Sequence, residues 1–176
     1  MNSKLVAVFC ALAGRALPIL LCGVLDACTR RKASDSDPDR DPVVVVQSDD
    51  PEMAAAIRQA RATLPEFVRH LRSPTPGQSL ANLKVRLEED GAVEHVWLDE
   101  VVIEGSSYRG RINNDVESLA HLSLGDLVTA TEETISDWMV IEDGRLLGGY
   151  SIRLFRNRMT PAERVEFDQK MGVRFE

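Results

Sequence analysis

Glu94-His95-Val96-Trp97 places a histidine next to a carboxylate on a stretch that reads as a strand, so Glu94 faces one way and His95 and Trp97 the other. A histidine with a carboxylate nearby can serve as a general base or a metal ligand. The chain has only 3 histidines, however, and His70 and His121 stand at no ligand spacing such as H-x-x-x-H or H-E-x-x-H. No metal or cofactor is expected, and His95 is read as packing on Trp97 with its polar tip bonded to backbone. Asp137-Trp138 and Arg153 fall on consecutive segments joined by a hairpin at Asp143-Gly144. With a three-residue loop, Glu142 faces Leu146, Asp137 faces Ser151, and Arg153 lies within diagonal reach of Asp137; a two-residue loop shifts the register by one. The pair then forms either a charged pocket floor walled by Trp138 or an ion pair that fixes strand register. Ser106, Ser107, Ser118 and Ser123 sit in neither G-x-S-x-G nor S-x-x-K. Gly148-Gly149 has no phosphate-loop context, because neither G-x-x-x-x-G-K-[ST] nor G-x-G-x-x-G occurs. Paired carboxylates such as Glu88-Glu89, Asp99-Glu100 and Glu132-Glu133 read as solvated turns. No catalytic set assembles. The binding candidates are His95, Trp97, Asn113, Asp137, Trp138, Tyr150 and Arg153.

Of the 3 cysteines, Cys10, Cys22 and Cys28, none lies beyond residue 28, so the domain that follows has no disulfide or zinc-thiolate framework. Residues 1–27 carry Lys4 and then a nearly continuous apolar run, the plan of a secretory signal, although Arg15 interrupts it. The run ends Leu25-Asp26-Ala27-Cys28, which resembles the bacterial lipobox, with Asp26 at a position that is usually small or apolar. That resemblance implies lipidation of Cys28, and Thr29 after it points to the outer membrane. The rival reading is an uncleaved anchor from Leu5 to about Ala27, where Arg15 would cost about 2.5–3.5 kcal/mol. Either way the domain is expected on the periplasmic side of the cell envelope, with the membrane as one partner through the anchor.

Residues 28–42 are rich in Asp, Ser and Pro and nearly free of apolar side chains, so they read as a disordered tether. Residues 43–176 then form one domain, long enough to bury a core without staples. Val43 to Val46 is a candidate first strand. Asp50-Pro51 opens a helix as N-cap acid and first-turn proline. Met53, Ile57, Ala60, Leu64, Val68 and Leu71 continue it at helical spacing. Pro65 interrupts that stripe between Thr63 and Glu66, read as a capping box, so a kinked helix or helix pair is expected. Leu83, Val85 and Leu87 alternate with Asn82, Lys84 and Arg86 in a half-buried strand. Further strands are expected over Val93 to Ile103, around Tyr108 to Ile112, over Leu127 to Thr131, over Ile135 to Ile141 and over Leu146 to Phe155. Thr160-Pro161-Ala162-Glu163 opens a last helix that stops at Gly172. The expected fold is α+β: the N-terminal helix pair, a curled antiparallel meander sheet of five to six strands, and a C-terminal helix.

Ala60 to Phe67 (A-x-x-T-L-P-E-F), Glu94-His95-x-Trp97 and Tyr108-x-Gly110-x-Ile112-Asn113-Asn114 recur in order with Gly125-Asp126-x-Val128, Ile135-x-Asp137-Trp138-Met139 and Gly148-Gly149-Tyr150-Ser151-Ile152-Arg153. In this order and spacing the segment from Met53 to about Phe167 resembles the YegJ-like family of bacterial domains of unknown function. The last motif departs slightly, with Ser151 and Ile152 where threonine and leucine would be expected. The resemblance implies the fold and leaves the activity open. A net charge of −7 opposes phosphate, so nucleic acid is not an expected partner. The leading expectation is a non-catalytic, envelope-tethered module binding a protein partner or a small ligand. One alternative is a small hydrolase-type enzyme using His95 with Asp137 or Glu94. The other is an immunity-like protein that blocks a toxin with an acidic face, on fold analogy alone.

Overall fold

The computed structural model describes the backbone of residues 4–7 and 44–47 and the whole of residues 50–175. The expected leader, Cys28 and the tether otherwise lie outside the described residues. Strand β1 (Lys4–Ala7) pairs antiparallel with β2 (Val44–Gln47), which falls on the β-branched run, and in parallel with β4 (Ala92–Glu104).

Asp50 caps α1 (Pro51–Ala62), accepting the Glu52 and Met53 N–H groups at 3.0 and 3.2 Å. Pro65 sits in the first turn of α2 (Leu64–Arg72), which gives the expected helix pair. The capping box at its start is absent. The Thr63 hydroxyl instead donates to Gln59 O at 2.9 Å and meets the Tyr150 hydroxyl at 2.8 Å.

Strands β3 (Gln78–Glu89), β4, β5 (Ser107–Ile112) and β6 (Leu127–Thr131) form an antiparallel meander. Strand β7 (Ile135–Glu142) then returns to the free side of β3, and β8 (Arg145–Gly148) pairs with β7. The open sheet therefore runs β6-β5-β4-β3-β7-β8. Its two faces follow strand alternation. Leu83, Val85, Val96, Leu98, Trp138 and Val140 pack with Ala60, Leu64 and Phe67 of the helix pair. Trp97, Met139, Ile141 and Leu146 cluster on the other face with Ile152 and, less deeply buried, Phe167, Met171 and Phe175.

Two local expectations are corrected here. The β7–β8 loop has two residues, because Glu142 pairs with Arg145 rather than facing Leu146. The strand expected through Phe155 ends at Gly148, and Tyr150–Arg158 is helix α3. The cause is backbone geometry: Gly148 and Gly149 have φ of 66° and 64°, which turns the chain off the pleat. A Cβ on Gly148 would stand 2.4 Å from Trp138 O, so no other residue fits. The final helix, α4 (Pro161–Met171), carries the capping box read from Thr160 and Glu163 and ends at left-handed Gly172.

Candidate functional site

The polar residues of the second sheet face form a buried layer. Register sets Lys84 opposite Asp137 on β7 and opposite Trp97 on β4. Asp137 is fully buried, and both its oxygens are occupied. Oδ1 accepts Trp138 N–H at 2.8 Å and Tyr150 N–H at 3.1 Å. Oδ2 accepts Ser151 N–H at 2.7 Å and the Ser151 hydroxyl at 2.6 Å. A β7 carboxylate thus caps α3, whose own N-cap, Gly149, has no side chain to do so. Burial pushes the Asp137 carboxyl up, against the Ser151 donors and the charge of Lys84. Lys84, itself 3% exposed, has its ammonium 5.3 Å from the centre of the Trp97 ring. Burial brings its pKa down to about 8, with Asp137 pulling the other way.

His95 meets Ser136 Oγ through Nδ1 at 2.8 Å, and that hydroxyl also donates to Lys84 O at 3.3 Å. Ser136 sits in the β3–β7 register shift between Lys84 and Val85. Burial first, then the positive charges of Lys84, Arg86 and Arg61, lower the His95 pKa to about 3, so the ring is neutral at physiological pH. Glu94, on the opposite face, accepts the N–H groups of Glu117 and Ser118, the latter at 2.8 Å. Neither Glu94 nor Asp137 is the hydrogen-bond partner of His95.

The other expected site residues are distributed between these layers and the surface. Trp97 and Trp138 are each 1% exposed. The Trp138 indole donates to Ala60 O and Thr63 Oγ, both at 3.1 Å, and its ring lies 5.8 Å from Phe67 and edge-on to Tyr150 at 6.1 Å. Asn113 donates its backbone N–H to Trp97 O, while Asn114 Oδ1 accepts Trp97 N–H at 2.7 Å, so the asparagine pair serves β4 as a pairing strand would. The pairing expected between Arg153 and Asp137 is replaced. From α3, Arg153 reaches back to Gly148 O at 2.9 Å and Leu146 O at 2.5 Å. Asp137, Trp138, Tyr150 and Arg153 do converge at the β7–β8–α3 junction, but His95 and Trp97 lie on β4, across β3 from β7.

Two open recesses flank α2. The smaller, about 420 Å³, is bounded by Tyr150, Arg153 and Arg145 on one side and by Arg69, His70 and Glu66 on the other. The larger, about 740 Å³, opens between α2 and Tyr108 of β5 and is rimmed by Arg61, Arg69 and Arg72. Arg69 borders both. Lys84, Ser136, Arg69 and Arg72 were not singled out by sequence reasoning. The available signal was a basic stretch, Arg58, Arg61, Arg69 and Arg72, within a chain of net charge −7.

Residues 50–175 match the family model of an uncharacterized protein conserved in bacteria (DUF2314), and the chain belongs to that family. It is 33% identical over 139 residues to a Neisseria meningitidis serogroup B protein whose name places it among ankyrin repeat proteins, covering 74% of this chain and 54% of that one. It is 29% identical over 100 residues to the uncharacterized protein YegJ of Escherichia coli K12, covering 57% and 64% respectively. The alignments thus take in between about half and two thirds of the length of these curated relatives. No solved structure matches.

Proposed function

We propose that the domain is a non-catalytic binding module, held on the periplasmic side of the envelope by a lipid on Cys28, with its ligand surface along α2. The observation that carries this reading is the placement of polar groups. His95, Asp137 and Glu94 are buried and committed to internal hydrogen bonds, so they offer substrate neither a free base nor an accessible carboxylate. The accessible recesses are lined instead by arginines and tyrosines, which recognise ligands without needing to transform them.

The test is a thermal-shift screen of small molecules against the chain, with hits repeated on Arg69→Gln. Hits whose shift falls in that variant support the reading. Turnover of an ester or phosphate substrate that is lost in His95→Gln would overturn it in favour of the hydrolase.

A further inference from the structure

We infer that the larger recess beside α2 is a site for an organic anion with an apolar body, such as an aryl or alkyl acid. Its chemistry has two parts. The inner wall is apolar, formed by buried Leu64, half-buried Val68 and the ring of Tyr108, which is 8% exposed. The rim holds three guanidinium groups and one carboxylate, Glu132. Such an excess of positive charge is out of keeping with a chain of net charge −7.

The three arginines differ in freedom. Arg61 is fixed, since its Nε donates to Ile135 O at 2.8 Å and its Nη2 to Glu133 O at 2.5 Å. It is thus a positive charge held at the wall before any ligand arrives, which lowers the ordering cost of binding. Arg69 and Arg72 stand three residues apart on one helix face, both exposed. Among the described residues neither is taken up in an ion pair or a side-chain hydrogen bond. Their planar forks match a carboxylate, sulfonate or phosphate in bidentate fashion. The Tyr108 hydroxyl, protonated at neutral pH like any tyrosine, is a further donor at this wall. An inorganic anion would leave the apolar wall bare, and a neutral apolar molecule would leave the guanidinium groups unmatched.

This rests on the reading of the domain as a binder, and the experiment separates the two. The probe is 8-anilinonaphthalene-1-sulfonate, titrated by fluorescence into the folded full chain, with N-phenyl-1-naphthylamine as its uncharged analogue and inorganic sulfate as a competitor without a body. Saturable binding of one sulfonate is expected. Arg69→Gln and Arg72→Gln should each weaken it about tenfold, and Arg58→Gln, exposed on α1 and not among the residues that line the recess, should leave it unchanged. All three positions are solvent-facing, so the variants keep the fold, which their unchanged circular dichroism would verify. Equal affinity in the Arg69→Gln/Arg72→Gln double variant, or equal affinity for the uncharged analogue, overturns the site. Displacement of the probe by equimolar sulfate overturns the apolar body. Screen hits that bind the double variant undiminished would keep the domain a binder and remove this recess from the account.

Discussion

Replacing Asp137 by Asn is the most informative perturbation of the buried polar layer. Each carboxylate oxygen accepts two donors, so the amide nitrogen must face one such pair wherever it points. At Oδ1 it would confront two backbone N–H groups that cannot turn away. At Oδ2 the Ser151 hydroxyl can rotate and accept from the amide, which strands only the Ser151 N–H. The second orientation therefore wins. One stranded buried donor costs about 1–3 kcal/mol. The variant also removes the negative charge next to buried Lys84 and at the start of α3, which adds to the loss. The expected total is about 2–4 kcal/mol at pH 7. Urea unfolding followed by tryptophan emission measures it, since Trp97 and Trp138 are both buried. A midpoint shift at constant slope is the signature. Lys84→Met in both backgrounds completes a cycle, and Asp137→Asn should cost less once the lysine is gone. A loss under about 0.5 kcal/mol, or strict additivity with Lys84→Met, would refute the assignment of Asp137 as the cap of α3 and the counter-charge of Lys84.

The remaining predictions use the same geometry. Lys84 titrates near 8 in the fold against 10.5 in a free chain. Between those values the unfolded chain binds more protons, so stability should rise as pH is raised, by at most about 1.4 kcal/mol per unit. Urea midpoints from pH 8 to 9.5 should show that rise, and Lys84→Met should abolish it. Gly148→Ala must clear a Cβ contact of 2.4 Å at φ of 66°, whereas Gly91 has open space around it. It should cost several-fold more in melting temperature than Gly91→Ala. A chain begun at Val43 loses β1 but none of the described core, whose first residue is Met53, so it should unfold cooperatively in a thermal scan. Cys28→Ser should move the protein from the membrane fraction to the soluble periplasm or leave an uncleaved precursor of greater mass, as cell fractionation and mass spectrometry would record.

Elements whose cause is local were legible in the sequence. Asp50-Pro51 and the Thr160–Glu163 box each carry their capping atoms within one turn, and alternation marked β3, β4, β5 and β7. What failed to show had distant causes. Tyr150 to Phe155 reads as strand by its aromatic and β-branched content; Gly148 and Gly149 turn the chain off the pleat, and the carboxylate that caps the helix they admit comes from 13 residues upstream. Asn82 and Lys84 alternate as a solvent face would, yet both are 3% exposed because this face of the sheet is covered too. Thr63 passed for a cap, but its hydroxyl turns back to Gln59 O and is also engaged by Trp138 and Tyr150, 75 and 87 residues away. Arg61, Arg69 and Arg72 looked like the ordinary wet side of a helix until β5 and the turn before β7 closed a wall against them.

The buried layer and the open recesses are connected through strand register. Ser136 occupies the bulge that shifts β7 against β3, and its hydroxyl ties that point to both Lys84 O and His95. A slip of one residue would turn Asp137 to the opposite face and withdraw the cap from α3. Helix α3 carries Tyr150 and Arg153, and Tyr150 in turn meets Thr63 at the joint between α1 and α2. The position of α2, and with it Arg69 and Arg72, therefore depends on a hydrogen-bond chain that begins inside the sheet. A purely apolar second face could supply comparable burial, but it would tolerate more than one register. Ser136 and Asp137 thus reach, through strand register and Tyr150, to the place where the arginines stand.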